Sequence, residues 1–344
     1  MKYMPLKNLV ISGGGVNGIG FIGIIKYLSE KNLIKDIEHF IGTSAGAIIG
    51  YLLSIDYNYL EIFEFCKHFN FSKVVSVNLD NFLDKYGFAD SSKLYYIFKR
   101  LTEAKNLDHK ITFKEHFEKT NKKLTITGTC LNDYKSYFFN YESFPDMEIL
   151  NALRISASIP LVFMPMVYDN YLWLDGGMTE NYPINVCKDD IENTLGICVF
   201  DDCLNDCKNK TPTDLSDYLS QVFKCFIFSD SLKEILKFED NTIKYSYSMG
   251  VFSNFDITTD EIESMVNSGY DQASQQSDII DKFIVNDNIN SESLSQSESD
   301  VIHKIISDVE NNSINSSESD QETLSDDSID DLSSKNIIIY DKKD

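Results

Sequence analysis

The stretch that decides the fold is FIGTSAGAIIGYLL, residues 40–53. Its apolar start leads into the small residues Gly42-Thr43-Ser44-Ala45-Gly46, and a second apolar run of helical length follows. This order predicts a strand, a tight turn and a buried helix. A Gly-x-Ser-x-Gly turn in that position holds a serine hydroxyl exposed, with the positive end of the helix directed at it. The same turn is also compatible with Ser44 as a simple helix cap, so the spacing alone assigns no nucleophile.

A second unit of the same kind precedes this stretch. Leu9–Ser12 is a short apolar strand, Gly13–Gly18 is a glycine-rich turn, and residues 19–28 are apolar over the length of a helix. Two consecutive strand–turn–helix units predict an α/β fold with a mainly parallel sheet covered by helices. Further elements are predicted downstream: hairpins at 124–141 and 166–174, a strand at 194–200, and helices at 59–69, 91–104, 147–155, 214–228 and 260–276, the last capped by Thr259.

The glycine-rich turn Gly13–Gly18 fits two functions. It matches the Gly-x-Gly-x-x-Gly pattern of dinucleotide sites, which also need an acidic residue at the end of the second strand. Asp36 and Glu38 lie at about the right distance but precede that strand, which ends in the serine turn instead. A nucleotide cofactor is therefore disfavoured, and the alternative is that the loop amides form an oxyanion hole.

A nucleophilic serine needs a base, and the usual order after Gly-x-Ser-x-Gly places a histidine last. Of His39, His68, His109, His116 and His303, only His303 follows the later acidic candidates, and it falls in a segment predicted to be disordered. A carboxylate is the better candidate. Asp175 ends a strand-like run, and Gly176-Gly177 behind it allow close backbone approach. Taken alone, Asp175 also fits a simple turn.

Four segments together resemble the patatin-like phospholipase domain, over about residues 8–190. In chain order they are Gly13–Gly18, Gly42–Gly46, Ser156-Ala157-Ser158-Ile159-Pro160 with Phe163 and Pro165, and Asp175-Gly176-Gly177. The resemblance implies a three-layer α/β/α sandwich with a mainly parallel central sheet. It also implies a serine lipid acyl hydrolase of the phospholipase A or lysophospholipase type, acting through an acyl-enzyme without a metal or a cofactor.

The resemblance also assigns roles to individual residues. Ser44 is the nucleophile, Asp175 is the general base of a Ser-Asp dyad, and the amides of Gly14 and Gly15 form the oxyanion hole. The supporting motif residues are Gly13, Asn17, Gly18, Gly42, Gly46, Gly176 and Gly177. Asn17 departs from the Arg or Lys that is usual in the family, which removes a charge from the loop. Soluble esters, lysolipids and thioesters stay open as substrates, and a catalytically silent lipid-binding or scaffold module is the alternative function.

The charge of the chain limits its partners. The formal net charge is -23, and residues 287–344 hold 15 acidic residues against 4 lysines. Such a surface repels nucleic acid and anionic bilayers, so no nucleic-acid partner is expected. The expected partner is a phospholipid or another acyl-ester lipid at a membrane or micelle surface, approached through an apolar rim. The oligomeric state is not indicated.

Location is inferred from apolar runs and cysteines. The N-terminal residues lack the apolar core of a signal peptide, and no uninterrupted apolar run reaches the length of a membrane span. An intracellular, cytoplasmic protein with peripheral membrane contact is predicted. Seven scattered cysteines predict reduced thiols, and Cys203 and Cys207 without a neighbouring histidine disfavour a zinc site.

Three regions are predicted along the chain. Residues 8–190 form the patatin-like core, residues 191–285 add a strand and helices to the same domain, and residues 286–344 form a Ser/Asp/Asn-rich acidic tail. The tail is expected to be disordered because it has too few apolar residues to offset its ordering entropy. It serves as a solvating tail or as an interaction or phosphorylation segment. Deleting residues 287–344 is expected to leave ester hydrolysis intact.

Overall fold

The computed structural model describes residues 5–74, 84–200, 211–213, 215–247, 257–284 and 294–312. Its strands are β1 (Asn8–Ile11), β2 (His39–Gly42), β3 (Gly87–Ala89), β4 (Lys123–Cys130), β5 (Lys135–Phe139), β6 (Leu161–Phe163), β7 (Met166–Tyr168), β8 (Tyr171–Asp175), β9 (Thr194–Val199) and β10 (Thr242–Tyr245). Its α-helices are α1 (Phe21–Glu30), α2 (Ala45–Ser54), α3 (Tyr59–His68), α4 (Ser92–Ala104), α5 (Phe113–Thr120), α6 (Ile149–Ser156), α7 (Leu215–Lys237), α8 (Thr259–Gln275), α9 (Ser277–Asp281) and α10 (Gln296–Asn312).

One large sheet organises the described residues. Its strand order is β10-β9-β1-β2-β4-β8-β7. The strand β5 lies off this path and pairs with β4. The pairs among β10, β9, β1, β2 and β4 are parallel, whereas β5, β7 and β8 join in antiparallel fashion. The two predicted hairpins are β4–β5 and β7–β8. The predicted α/β fold with a mainly parallel central sheet is therefore confirmed.

Both faces of the sheet are covered. Along β1, Leu9 and Ile11 belong to the larger apolar core, whereas Val10 between them belongs to a second core on the opposite face. All three side chains are fully buried. Because side chains alternate across a strand, apolar residues at every position require a layer of packing on each side, which gives the three-layer α/β/α arrangement.

Several predicted boundaries differ from the observed ones. The predicted helix 19–28 begins at Phe21, after a 3₁₀ turn over Gly15–Gly20, and the helix predicted at 214–228 runs on to Lys237. The cap of α8 is Thr258 rather than Thr259: its hydroxyl accepts a hydrogen bond from the Glu261 amide, and the Glu261 carboxylate accepts one from the Thr258 amide. None of the helices in the described ranges is long and apolar enough to cross a membrane.

The prediction of disorder across 286–344 is wrong for residues 296–312, which form α10. Ile302, Ile305, Ile306 and Val309 are buried on this helix, which packs on α3 and α4. Their spacing of three and four residues is that of an amphipathic helix, a pattern that the acidic composition masks. Residues 285–293 and 313–344 lie outside the described part of the chain. A deletion from residue 287 would remove packed side chains, so the expectation that it is neutral no longer follows.

Candidate active site

Ser44 stands at the turn between β2 and α2 in a strained backbone conformation. Its φ is 52° and its ψ is -120°, a region that residues other than glycine rarely occupy. The Ser44 amide donates a hydrogen bond of 2.8 Å to the hydroxyl of Ser156, which is fully buried. Gly46 allows the turn to close, because a Cβ there would lie 2.3 Å from the carbonyl oxygen of Ile11. The turn predicted from Gly42–Gly46 is thus held by β1 and by the end of α6.

The register of β4 explains how Asp175 reaches this turn. Gly42, the last residue of β2, pairs with Ile126, and Asp175, the last residue of β8, pairs with Gly128 further along the same strand. The ends of β2 and β8 are therefore neighbours, although they are far apart in sequence. Thr127 lies between them and joins its hydroxyl to that of Thr43 at 2.5 Å.

The predicted site residues divide into a lining set and a packing set. One small cavity is lined by Ser44, Asp175 and Gly177 together with Asn17 and the loop residues Gly13, Gly14 and Gly15. The remaining motif glycines permit close packing behind it. A Cβ at Gly18 would lie 2.5 Å from the Cβ of Ala45, and one at Gly176 would lie 2.3 Å from the hydroxyl oxygen of Thr127.

The Asp175 carboxyl group is buried, and its pKa is raised towards neutral pH. Its Oδ1 accepts a hydrogen bond of 2.7 Å from the Gly177 amide, whereas Oδ2 makes no regular hydrogen bond within the described residues. Burial raises the pKa of Asp175 to about 7, against the smaller lowering effects of the Ser44 hydroxyl and the Gly177 amide. Ser44 lines the same cavity as this carboxyl group, but its hydroxyl forms no regular hydrogen bond with it within the described residues. A carboxyl with a pKa close to neutrality is suited to accept and return a proton.

The glycine loop places its amides beside Ser44. The Gly13 amide donates to the carbonyl of Asn181 at 3.0 Å, and the 3₁₀ turn begins with a hydrogen bond from the Asn17 amide to the Gly14 carbonyl. Gly14 is the N-cap of that turn and Gly15 its first residue, so their amides are not needed to close it. They line the cavity that contains Ser44. Donors in this position can bind the oxyanion formed when a serine attacks an ester.

A second, strongly apolar cavity of about 180 Å³ starts at Ser44. Gly15, Val16 and Ala45 line it together with Ser44. The other lining residues include aliphatic and aromatic side chains of α2, α3 and α4, among them Leu52, Ile62, Phe65, Ile97 and Leu101. An apolar space that begins at a nucleophile is suited to hold an alkyl chain whose ester carbonyl lies at the serine.

None of the five histidines lines either cavity. His39 is partly buried on β2 with Nε2 2.8 Å from the hydroxyl of Thr125, and desolvation lowers its pKa to about 3. His116 is buried against Ser54, and burial lowers its pKa to about 4. Both imidazoles are therefore neutral at pH 7, and each is hydrogen-bonded away from Ser44. No histidine therefore lies beside Ser44, and the assignment of a carboxylate as the base stays a prediction.

Sequence reasoning missed several residues that border the site. Ser156, which accepts the Ser44 amide, lies in a segment that resembled the family, but no role was predicted for it. Asn181, Phe223 and Ile227 line the cavity with Ser44 and Asp175. Phe223 and Ile227 belong to α7, in a region without motifs. Their helical periodicity was visible, but no sequence signal placed that helix at the site.

This site and fold define a class. An α/β/α sandwich with a serine on a strained turn, a glycine loop beside it and a buried carboxyl is the kind of arrangement from which serine hydrolases are built. The chain belongs to the patatin-like phospholipase family, whose sequence profile matches residues 9–188. The resemblance stated from the motifs is thereby confirmed, and the family is one of lipid hydrolases.

Individual relatives support the same assignment. Probable lipid hydrolase 463L of Invertebrate iridescent virus 6 is 38% identical over 191 residues, which are 54% of this chain and 64% of that protein. Uncharacterized protein R571 of Acanthamoeba polyphaga mimivirus is 28% identical over 284 residues, 79% of this chain and 93% of that one. The solved structure of VipD from Legionella pneumophila has a TM-score of 0.56 at 15% identity and covers 89% of this chain and 74% of its own. At that identity VipD supports the fold alone.

Proposed function

We propose that the chain is a serine lipid acyl hydrolase of the phospholipase A or lysophospholipase type, with a Ser44–Asp175 dyad. The observation that carries the proposal is the cavity shared by Ser44, Asp175 and the amides of Gly14 and Gly15. The apolar cavity that starts at the same serine supports a substrate with a long acyl chain. Membership of a lipid-hydrolase family agrees with both.

The proposed reaction proceeds in two halves. Asp175 takes the proton of the Ser44 hydroxyl as Oγ attacks the ester carbonyl carbon, and the amides of Gly14 and Gly15 bind the resulting oxyanion. The carbon–oxygen bond to the alcohol then breaks, and the proton on Asp175 passes to the leaving alkoxide. Asp175 next takes a proton from water, which attacks acyl-Ser44. Collapse of that intermediate releases the fatty acid, and the proton returns to Ser44.

Approach to a lipid surface is supported by α7. Leu215, Tyr218, Phe226 and Leu236 are 52–72% exposed, and their helical spacing places them on one face of the helix. The same helix sends Phe223 to the cavity that contains the dyad. With a net charge of -23, the chain lacks basic steering, so these apolar side chains would insert among zwitterionic or neutral lipids.

The experiment that tests the dyad is labelling with a fluorophosphonate probe, which reacts with activated serines. We expect the wild-type chain to be labelled and Ser44→Ala to be unlabelled. Ser297→Ala, which changes an exposed serine on α10, is the matched control and should be labelled as the wild type is. Absence of labelling in the wild type would favour a silent lipid-binding module. A panel of phospholipids, lysolipids and triacylglycerols would then define the substrate of an active chain.

The role of α7 is tested by replacing one exposed side chain on it. Phe226→Asp should lower hydrolysis of phosphatidylcholine vesicles severalfold while hydrolysis of a short-chain monomeric ester is unchanged. Lys233→Asp, on the same exposed side of the helix, is the control for added negative charge. An equal loss on vesicles in both variants, or a parallel loss on the monomeric ester, would contradict the proposed contact.

A further inference from the structure

Two histidines and a glutamate meet where α10 crosses α3. Glu64 and His68 lie one helical turn apart on α3, and His303 comes from α10. His68 Nε2 is 2.9 Å from Glu64 Oε1, and His303 Nε2 is 3.6 Å from the same oxygen. The candidate donor atoms of the three side chains all lie within 4.8 Å of one another. This cluster lies outside both cavities at Ser44.

These distances suit a transition-metal ion. A tetrahedral zinc ion with ligands at about 2.0–2.2 Å holds neighbouring donor atoms roughly 3.3 Å apart. The two distances to Glu64 Oε1 fall on either side of that separation, so small rotations of the imidazole rings would suffice. Imidazole nitrogen and carboxylate oxygen are preferred zinc ligands, whereas Ca²⁺ and Mg²⁺ favour all-oxygen sites. The side chains are 23–49% exposed, which leaves room for water in the remaining positions.

The position of His303 is fixed by packing. On α10, Ile302 and Ile306 are buried on either side of it in sequence. Ion pairs tie the same helix to its neighbours: Lys73 to Glu310 at 3.3 Å, and Arg100 to Asp308. His303 is therefore presented to α3 by contacts that do not depend on a metal, so the three donors are already assembled when an ion arrives.

The lysine of α3 forms its ion pair with a carboxylate other than that of Glu64. Lys67 Nζ forms its ion pair with Glu263 of α8, at 2.5 Å. Glu64 Oε1 is thus shared by the two imidazoles. A metal ion at this point would replace the two contacts between Glu64 and the histidines. Each of the three side chains would instead form one bond to the ion.

We propose that Glu64, His68 and His303 bind one divalent transition-metal ion of the zinc class. The ion would join α10 to α3, the helix that contributes Ile62 and Phe65 to the wall of the apolar cavity. It is a structural site in this proposal and takes no part in ester chemistry. The inference does not rest on the proposed function, because the cluster shares no residue with the dyad.

The test is binding of Zn²⁺ to the full chain, purified without a histidine tag. Equilibrium dialysis at neutral pH should find one tightly held equivalent in the wild type. His303→Ala and His68→Ala should each weaken binding about tenfold or more, as losses of ligands do. His109→Ala is the matched control, since His109 also contacts a carboxylate, that of Glu103, but lies between α4 and α5. It should bind as the wild type does.

Two further measurements identify the ligands and the effect. Co²⁺ in place of zinc should give visible absorption bands without a sulfur-to-metal charge-transfer band, which excludes the cysteines. Zn²⁺ at hundredfold excess over its dissociation constant should raise the Tm of the wild type by about 3 °C or more, and Ca²⁺ should not. In EDTA the Tm of each variant should equal that of the wild type, which would show that the variants fold.

The proposal is overturned if the wild type holds no zinc, or if His303→Ala and His68→Ala bind it as the wild type does. A cobalt spectrum with thiolate bands would also overturn it. Without a metal, the cluster is a carboxylate shared by two histidines, and in that case Zn²⁺ leaves the Tm unchanged. Labelling of Ser44 is unaffected in every case, so failure here is distinct from failure of the dyad.

Discussion

The two parts of the chain differ in how well their roles can be predicted from the sequence. Residues 8–190 carry every recognisable motif, and those motifs stand where the backbone is strained or closely approached, as at Ser44 and Gly46. Residues 191–312 carry none, yet α7 lines the cavity that contains Ser44 and Asp175, and α10 packs on α3. Unusual backbone geometry restricts the residue type and leaves a signature, whereas ordinary packing needs only apolar periodicity. We therefore expect the first region to be sensitive to single substitutions at particular residues. The second region should be sensitive to substitutions that remove buried side-chain volume.

The largest effect is expected at the carboxyl group of the first region. Asp175→Asn keeps the shape of the side chain but removes the proposed base, so kcat/KM should fall by about 10³ or more with the fold retained. Asp169→Asn, in the turn of the same β7–β8 hairpin, is the matched control and should keep wild-type activity. Ester hydrolysis and circular dichroism measure the two properties. Activity of Asp175→Asn close to the wild type would rule out the dyad.

The pH profile of the wild type adds an independent check on that base. Burial raises the pKa of Asp175 to about 7, and the reaction needs the ionised form. The value of kcat/KM should therefore fall as the pH drops below about 7, by about tenfold per pH unit in the limit. A profile that stays flat down to pH 5 would show that the base has an ordinary carboxyl pKa.

The next effect is on stability and has the opposite sign. The pKa of Asp175 is raised from 3.8 to about 7, so between these pH values the folded state holds a proton that the unfolded state has released. Stability is then lost as the pH rises through that range. Asp175→Asn carries no such charge and should exceed the wild type in unfolding free energy at pH 8, by on the order of 4 kcal/mol. At pH 4 the two should be nearly equal. Urea unfolding at both pH values measures this, and a gap that is the same at both would contradict it.

Two glycines in the first region allow a comparison. At one of them the backbone of another segment leaves no room for a Cβ, and at the other there is room. A Cβ at Gly46 would lie 2.3 and 2.5 Å from the carbonyl oxygens of Ile11 and Ser12, whereas one at Gly50 would meet only the Cβ of Phe40, at 3.5 Å. Gly46→Ala should therefore destabilise the chain by about 2–3 kcal/mol. Gly50→Ala, on the same helix, should stabilise it by about 0.5–1 kcal/mol through its higher helix propensity. Equal shifts in the urea midpoint would show that backbone approach does not explain the motif.

The same contrast explains how much could be predicted from the sequence. The serine turn Gly42–Gly46 and the glycine-rich turn Gly13–Gly18 were predictable, as were both hairpins, because each depends on local residue types. The proximity of Ser44 and Asp175 was inferred only through the resemblance, since it depends on the register of β4 against two strands. The part played by α7 could not be predicted, because the cavity wall needs apolar side chains but no particular ones.

The prediction of disorder was wrong for residues 296–312 for a similar physical reason. Composition averaged over 286–344 is acidic and polar, and the average conceals one amphipathic helix. Ile302, Ile305, Ile306 and Val309 recur at helical spacing and bury against α3 and α4. A few apolar side chains at the right period suffice when a partner surface supplies the rest of the core.

The smallest effect is expected on stability, for substitutions on α10 in the second region. Ile305 is 3% exposed, whereas Val301, one turn earlier on α10, is 45% exposed. Ile305→Ala removes buried methyl groups and should lower the unfolding free energy by about 2 kcal/mol. Val301→Ala should change it by less than about 0.5 kcal/mol. Because α10 packs on a wall of the apolar cavity and not on Ser44, Ile305→Ala should still react with a fluorophosphonate at low temperature. If both variants unfold at the wild-type urea concentration, α10 is not part of the folded core, and the second region ends before it.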